Sequence, residues 1–427
     1  MGHGRRRYRV ATALLLPALA AACMTTGRQV PVSGGGEPSG PGASVSLPGG
    51  TLCAGTVAGR PVAVEAGFDR ARASRCSISA EGVIEVLILP ETRPINDSPW
   101  YAFKVTTDAA QQLTVVLRYE GGTHRYAPKT SRDGASWSRV DPARVVVAAD
   151  ESHARFPLEL QAGVTTVAAQ PFETAAQSLA RWGPLVADGR LTRWTFGQSV
   201  QGVPLVALAT PGTGASHTLV LVGRQHPAET TGAEAFDAFV ARLLEDDPLA
   251  VAFRGRVALL MVPVMNPDGL KAGHWRTNAN GTDLNRDWGI WAQPETRAVG
   301  ELIERTHQAR PLIGLIDFHS TRRDVIYAMP AQDPLYPQGL AEDWFARWQA
   351  VAGPAAPPIQ RRFDDDQMNS KTWSRIRFGL SGVTYEVGDD TTPQTARANA
   401  RTAAETYMQA VLALTPEQLQ PLPPAGS

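Results

Sequence analysis

Beyond Pro171 the chain alternates short apolar runs with longer amphipathic stretches, and few folds accept that pattern. Thr218 to Val222 is apolar at nearly every position rather than at alternate ones, which suits a strand buried on both faces. Val257 to Val264 and Leu312 to Phe318 read the same way, and Gly382 to Val387 is a weaker candidate. Behind the first run, Phe236, Phe239, Val240, Leu243 and Leu244 fall at i, i+3, i+4, i+7 and i+8, one stripe of a helix. An Ala-rich helix is predicted over Pro393 to Leu412, with proline near its first turn. Strands of this kind need helices on both faces, so the expectation is an α/β/α domain over residues 171–418, with 419–427 as a tail.

Residues 51–170 have a different texture. Short β signals at Val83 to Leu89, Trp100 to Thr106 and Leu113 to Tyr119 are separated by turn clusters such as Glu120-Gly121-Gly122 and Arg132-Asp133-Gly134. No helical period of useful length precedes residue 170, so this region is predicted as a small antiparallel β-sandwich domain. Pro31 to Gly50 holds seven Gly, four Pro and four Ser. Such a segment cannot bury a core, and residues 23–50 read as a tether. The chain's 427 residues and 43% apolar content suffice for two cores.

Arg5, Arg6, Arg7 and Arg9 precede Val10 to Ala22, a largely apolar run of 13 residues. That run is too short to span a bilayer and fits a secretory signal over 1–22. Its end, Leu19-Ala20-Ala21-Ala22-Cys23, resembles a bacterial lipobox. The resemblance implies cleavage before Cys23, a lipid on its sulfur, and a periplasm-facing place in the bacterial cell envelope. Met24, where an Asp would retain a lipoprotein in the inner membrane, points by analogy to the outer one. Removing residues 1–22 takes four arginines and no acid, leaving 37 basic and 41 acidic residues. That balance argues against a nucleic-acid partner. Cys53 and Cys76 remain as a candidate disulfide for an oxidising compartment. Nothing in the sequence sets an oligomeric state.

The reactive residues gather at strand ends. His226-Pro227-Ala228-Glu229 follows the first buried strand and opens the amphipathic helix. A histidine and a carboxylate three apart can converge on one metal there, and a helix N-terminus favours an ionised Glu229. His319 closes another buried strand in Asp317-Phe318-His319-Ser320. Open α/β sheets bind ligands at the carboxyl ends of their strands, so both groups are expected in one crevice. Two His, one Glu and a water make a common catalytic zinc shell.

Three further blocks accompany them: Asn266-Pro267-Asp268-Gly269, His274-Trp275-Arg276, and Gly281-Thr282-Asp283-Leu284-Asn285-Arg286-Asp287-Trp288. Here the chain resembles the zinc metallocarboxypeptidases, nearest the cytosolic-carboxypeptidase-like branch, which carries a β-sandwich before its catalytic domain. Trp100-Tyr101-Ala102-Phe103 and Ser131-Arg132-Asp133-Gly134-Ala135-Ser136-Trp137 are similar to that branch's N-terminal signatures. The resemblance implies a carboxypeptidase-like α/β/α fold with a mixed central sheet and one Zn2+ per chain, held by His226, Glu229 and His319. It makes Asp283 the acceptor for the other ring N–H of His226, and Asn285 with Arg286 the receivers of a substrate's terminal carboxylate. Arg276 would steady the scissile carbonyl. Glu386, in Thr384-Tyr385-Glu386-Val387-Gly388, would carry the catalytic proton. A gapless count from Glu386 places Lys371 near the specificity pocket of digestive relatives, where a lysine would favour an acidic terminal side chain. The same count puts Asp364, in the run Asp364-Asp365-Asp366, near where the family has a lid tyrosine. The implied partner is a peptide with a free C-terminus, wall peptides included. A deacylase of N-acyl amino acids on a related scaffold, or an inactive zinc-bearing module that grips peptides, are the alternatives.

Overall fold

The structure, a computed structural model, describes residues 50–92, 99–363 and 367–420. The expected signal, the lipidated Cys23, nearly all of the tether and the acidic run with Asp364 lie outside them, and so does most of the tail.

Alternation builds the first layer. In the strand Val83–Ile88 every second residue is buried, so one face must meet another apolar face. It does: a six-stranded and a five-stranded sheet share a core in which Val62, Val64, Phe103 and Val105 meet Ile84, Val86, Val115, Leu117 and Phe156. One pairing departs from the antiparallel expectation, because Val83–Ile88 runs parallel to Gln111–Tyr119. The intervening strand Ala102–Thr107 pairs in the other sheet, so the chain returns to the first one in its original direction. Cys53 and Cys76 are joined in a disulfide with Cα atoms 5.7 Å apart, linking the two sheets.

The second layer is an eight-stranded mixed sheet. Its middle strands Val257–Val262, His217–Gly223, Leu312–Thr321 and Gly382–Gly388 are parallel neighbours in that order. Antiparallel strands flank them: Thr192–Gln198 and Pro204–Ala209 on one side, Val325–Ala328 on the other. The helices Thr230–Leu243, Leu340–Ala352 and Pro393–Ala413 pack one face around Phe236, Phe239, Trp344 and Tyr407. Pro294–Ala309 and Ser370–Phe378 cover the opposite face around Trp288 and Trp373. Two consequences place the site. Parallel register sets His319 beside Glu386. Ala228 and Trp275, from loops at the strand ends, belong to the sandwich's own core, so that layer backs the crevice.

Candidate active site

After the strand His217–Gly223 the chain turns sharply, with Arg224 at a left-handed φ of 56°. The turn delivers His226, and Glu229 stands at the N-cap of the helix Thr230–Leu243. The carbonyl between them, that of Pro227, accepts from Nη1 of both Arg70 and Arg224, at 2.9 and 3.0 Å. Two buried guanidinium groups thus pin the short loop that spaces these side chains.

His226, Glu229 and His319 are all buried, and their donor atoms lie within 4.8 Å of one another. Nδ1 of His226 is 2.8 Å from Glu229 Oε1, Nδ1 of His319 is 2.8 Å from Glu229 Oε2, and the two ring nitrogens are 3.2 Å apart. Two ligands about 2.1 Å from a tetrahedral zinc sit roughly 3.4 Å apart, so this donor set fits that ion. The remaining ring nitrogens support the fit. His226 Nε2 is 2.9 Å from Asp283 Oδ1, and His319 Nε2 is 2.9 Å from Asp317 Oδ2. Each carboxylate accepts a hydrogen bond from Nε2–H, which leaves the Nδ1 lone pair facing the shared centre, the tautomer a metal requires. Asp283 is in the expected place. Asp317 is a partner that sequence reasoning missed, although it stands two residues before His319 and therefore on the same strand face. Its Oδ2 also accepts from Gln225 and Ser370.

Charge follows the same logic. Burial opposes ionisation of Glu229, but His226 and His319 outweigh it and hold the carboxyl well below the usual range. Burial likewise disfavours a charged Asp283, and His226, Arg276 and Arg286 overcome it. Burial would lower His319, yet Asp317 and Glu229 raise its proton affinity well above the ordinary value. The cluster demands positive charge at its centre.

Glu386 is partly buried, and its Oε2 is shielded from solvent with no hydrogen-bond partner. Burial lifts its carboxyl to about 7; His319 opposes the rise and Glu229 adds to it. Asp283 also caps the turn Leu284–Arg286 through the Asn285 N–H, at 2.8 Å, which presents Asn285 and Arg286 to the crevice. Asn285 Nδ2 lies 3.3 Å from His319 Nε2. Arg276 donates from Nε to Asp283 Oδ2 at 2.6 Å, with its guanidinium 5.5 Å from the Trp275 ring. Lys371 is buried and donates from Nζ to the Arg362 carbonyl at 2.7 Å. All nine expected side chains from His226 to Glu386 except Asp283 line one cleft of about 120 Å3, and Asp283 braces two of them from behind. Arg125, from the sandwich, lines it too, and no sequence signal marked it. A larger cavity of about 370 Å3, between Trp137 and Arg397, contains none of the three clustered donors.

The family described as zinc carboxypeptidase matches residues 187–400. An uncharacterised protein of Zymomonas mobilis is 26% identical over 285 residues, covering 62% of this chain and 70% of its own length. Human cytosolic carboxypeptidase 6 is 32% identical over 120 residues, 26% of this chain and 24% of its own, so the chain spans about a quarter of that relative. A metallo-carboxypeptidase from Burkholderia cenocepacia superposes with a TM-score of 0.71 at 20% identity, covering 82% of this chain and 98% of that one. One from Pseudomonas aeruginosa, solved with (2-guanidinoethylmercapto)succinic acid, gives 0.64 at 20% identity over 84% and 100%. At such identities the two structures speak to the fold.

Proposed function

We propose, from the premise that this chain belongs to the zinc carboxypeptidase family, that its cleft hydrolyses the C-terminal peptide bond of peptides with Glu386 as the base. The family uses one zinc, and His226, Glu229 and His319 are the residues that would hold it. When bound, the ion supplies Lewis-acid polarisation of a carbonyl and of water.

The chain's own residues do the rest. Arg286 and Asn285 bind the terminal carboxylate, a task suited to a planar guanidinium that can meet both oxygens. Arg276 donates to the scissile carbonyl oxygen, and its fixed charge acts most strongly as negative charge grows there. Glu386 takes a proton from the attacking water at its unpartnered Oε2 and returns it to the leaving amine. Asp283 and Asp317 hold the two imidazoles in one orientation throughout.

The observation that carries this reading is the orphaned Glu386 oxygen beside the three clustered donors. A partly buried carboxyl whose shielded oxygen has no hydrogen bond is costly and is suited to receiving a proton. Lys371, beside Arg362 in the same cleft, supports a preference for an acidic terminal side chain. Comparing peptides ending in Glu, Phe and Lys tests it: fastest release of Glu is expected, and a preference for Lys contradicts it. The same incubation with N-acyl amino acids separates peptidase from deacylase.

We also propose that the protein is an envelope lipoprotein anchored through Cys23. The Cys53–Cys76 disulfide supports this, because such bonds persist in oxidising compartments. The Cys23→Ala variant should move from the membrane to the soluble fraction; an unchanged distribution would reject the anchor.

A further inference from the structure

We propose that Arg125, a residue of the β-sandwich, binds substrate on the N-terminal side of the bond being cut. The inference rests on the peptidase reading above and adds a residue from outside the catalytic layer.

Arg125 lines the cleft together with His226, Glu229, Trp275 and Arg276. Its side chain is only 8% exposed. Nε and Nη2 donate to Asp389 Oδ2 and Oδ1, at 2.7 and 3.1 Å, a forked pairing that fixes the plane of the group. Its guanidinium lies 5.4 Å from the Trp275 ring and 5.1 Å from Tyr126. Asp389 directly follows the strand Gly382–Gly388, which carries Glu386. The fork therefore sets Arg125 at a fixed place relative to the proton carrier, and it leaves Nη1 outside the Asp389 pair.

Direction follows from the neighbours. A peptide with its terminal carboxylate at Arg286 and its scissile carbonyl at Arg276 must continue past Arg276. Arg125 lines the same cleft and shares the Trp275 ring with Arg276, and on that ground we place it on the upstream side. The Nη1 donors suit a carbonyl or carboxylate oxygen of the residues upstream of the cut. A strut between the layers is a poorer account, since a buried ion pair adds little net stability over apolar packing.

The test uses the zinc-loaded full chain and the two products of a cleavage, bound separately and followed by calorimetry: the N-acetylated shortened peptide and the released amino acid. Arg125→Gln should weaken the shortened peptide roughly tenfold and leave the free amino acid unchanged. In turnover of N-acetylated tripeptides, KM should rise by a similar factor while kcat holds. Equal weakening of both products, or of neither, overturns the proposal. If Arg125→Gln does not fold, Arg125→Lys, which keeps the charge without the fork, is judged by the same split. A wild type that binds both products but cleaves nothing sinks the peptidase reading alone. One that binds neither sinks both.

Discussion

In the sandwich, Val62, Val64, Ile84, Val86, Phe103 and Val105 turn inward, and alternate residues such as Glu65, Glu85 and Lys104 turn out. In the mixed sheet the order is reversed at one end. Leu312–Thr321 and Gly382–Gly388 are almost wholly buried, yet they carry Asp317, His319 and Glu386. An unpaired buried charge costs several kcal/mol, so a fold keeps such groups only where something offsets them. Here the offsets are mutual: Asp317 serves His319, Asp283 serves His226, and Glu229 faces both rings. The sandwich's own buried cations teach the same point. Arg70 and Arg125 both turn towards the catalytic layer, one onto Pro227 and the other onto Asp389. In both layers, buried polar side chains are among the groups that build the cleft.

Four perturbations would break or sharpen that contrast. The largest effect is expected at Glu386: Glu386→Gln should cut turnover by about a thousandfold while metal analysis still finds one zinc per chain. Retained turnover with the metal intact would remove Glu386 from the reaction. Next, the Cys53→Ala, Cys76→Ala double variant should lose about 3 kcal/mol of stability in denaturant. Zinc affinity should not change, because the bridge serves only the sandwich. Asp317→Asn should act in the opposite sense, weakening zinc in a chelator competition by about 10- to 100-fold with a smaller change in melting. If the disulfide variant also released zinc, the two layers would not divide labour as described.

The smallest effect concerns His124, buried in the sandwich with Nδ1 2.9 Å from the Tyr119 hydroxyl. Burial lowers it to about 4, against a weaker opposing pull from Glu151. Between about pH 4 and 6.5 this residue therefore binds more protons in the unfolded chain than in the folded one, and its own contribution to stability rises with pH across that window. The difference should be on the order of 2 kcal/mol and should shrink in His124→Gln. The same pH dependence in the wild type and in His124→Gln over this range would show that His124 is charged in the fold.

Much of this was readable from the residues alone, for reasons that can be named. Three of the four parallel strands announced themselves because burial on both faces demands apolar side chains at nearly every position; Gly382–Gly388, interrupted by Thr384 and Glu386, gave a weaker signal. Thr192–Gln198 did not, since an edge strand that is exposed along most of its length carries no such signature. Asp317 was legible in principle through its i, i+2 relation to His319, a spacing that has meaning once the strand is assigned. Arg125 was not, because its partner Asp389 is 264 residues away and no periodicity links them. Lys371 was placed only by a count along the chain, and the fold sets it in the same cleft as Arg286.

The proposed chemistry needs one zinc, shared by His226, Glu229 and His319, and a substrate with a free C-terminus. The direct measurement is a mass-resolved time course on one peptide in two forms, with a free and with an amidated C-terminus, before and after chelation. Stepwise loss of single residues from the free form alone, abolished by the chelator and restored by one equivalent of zinc, is the predicted result. Internal cuts, equal attack on the amidated form, or loss that ignores the chelator would contradict it.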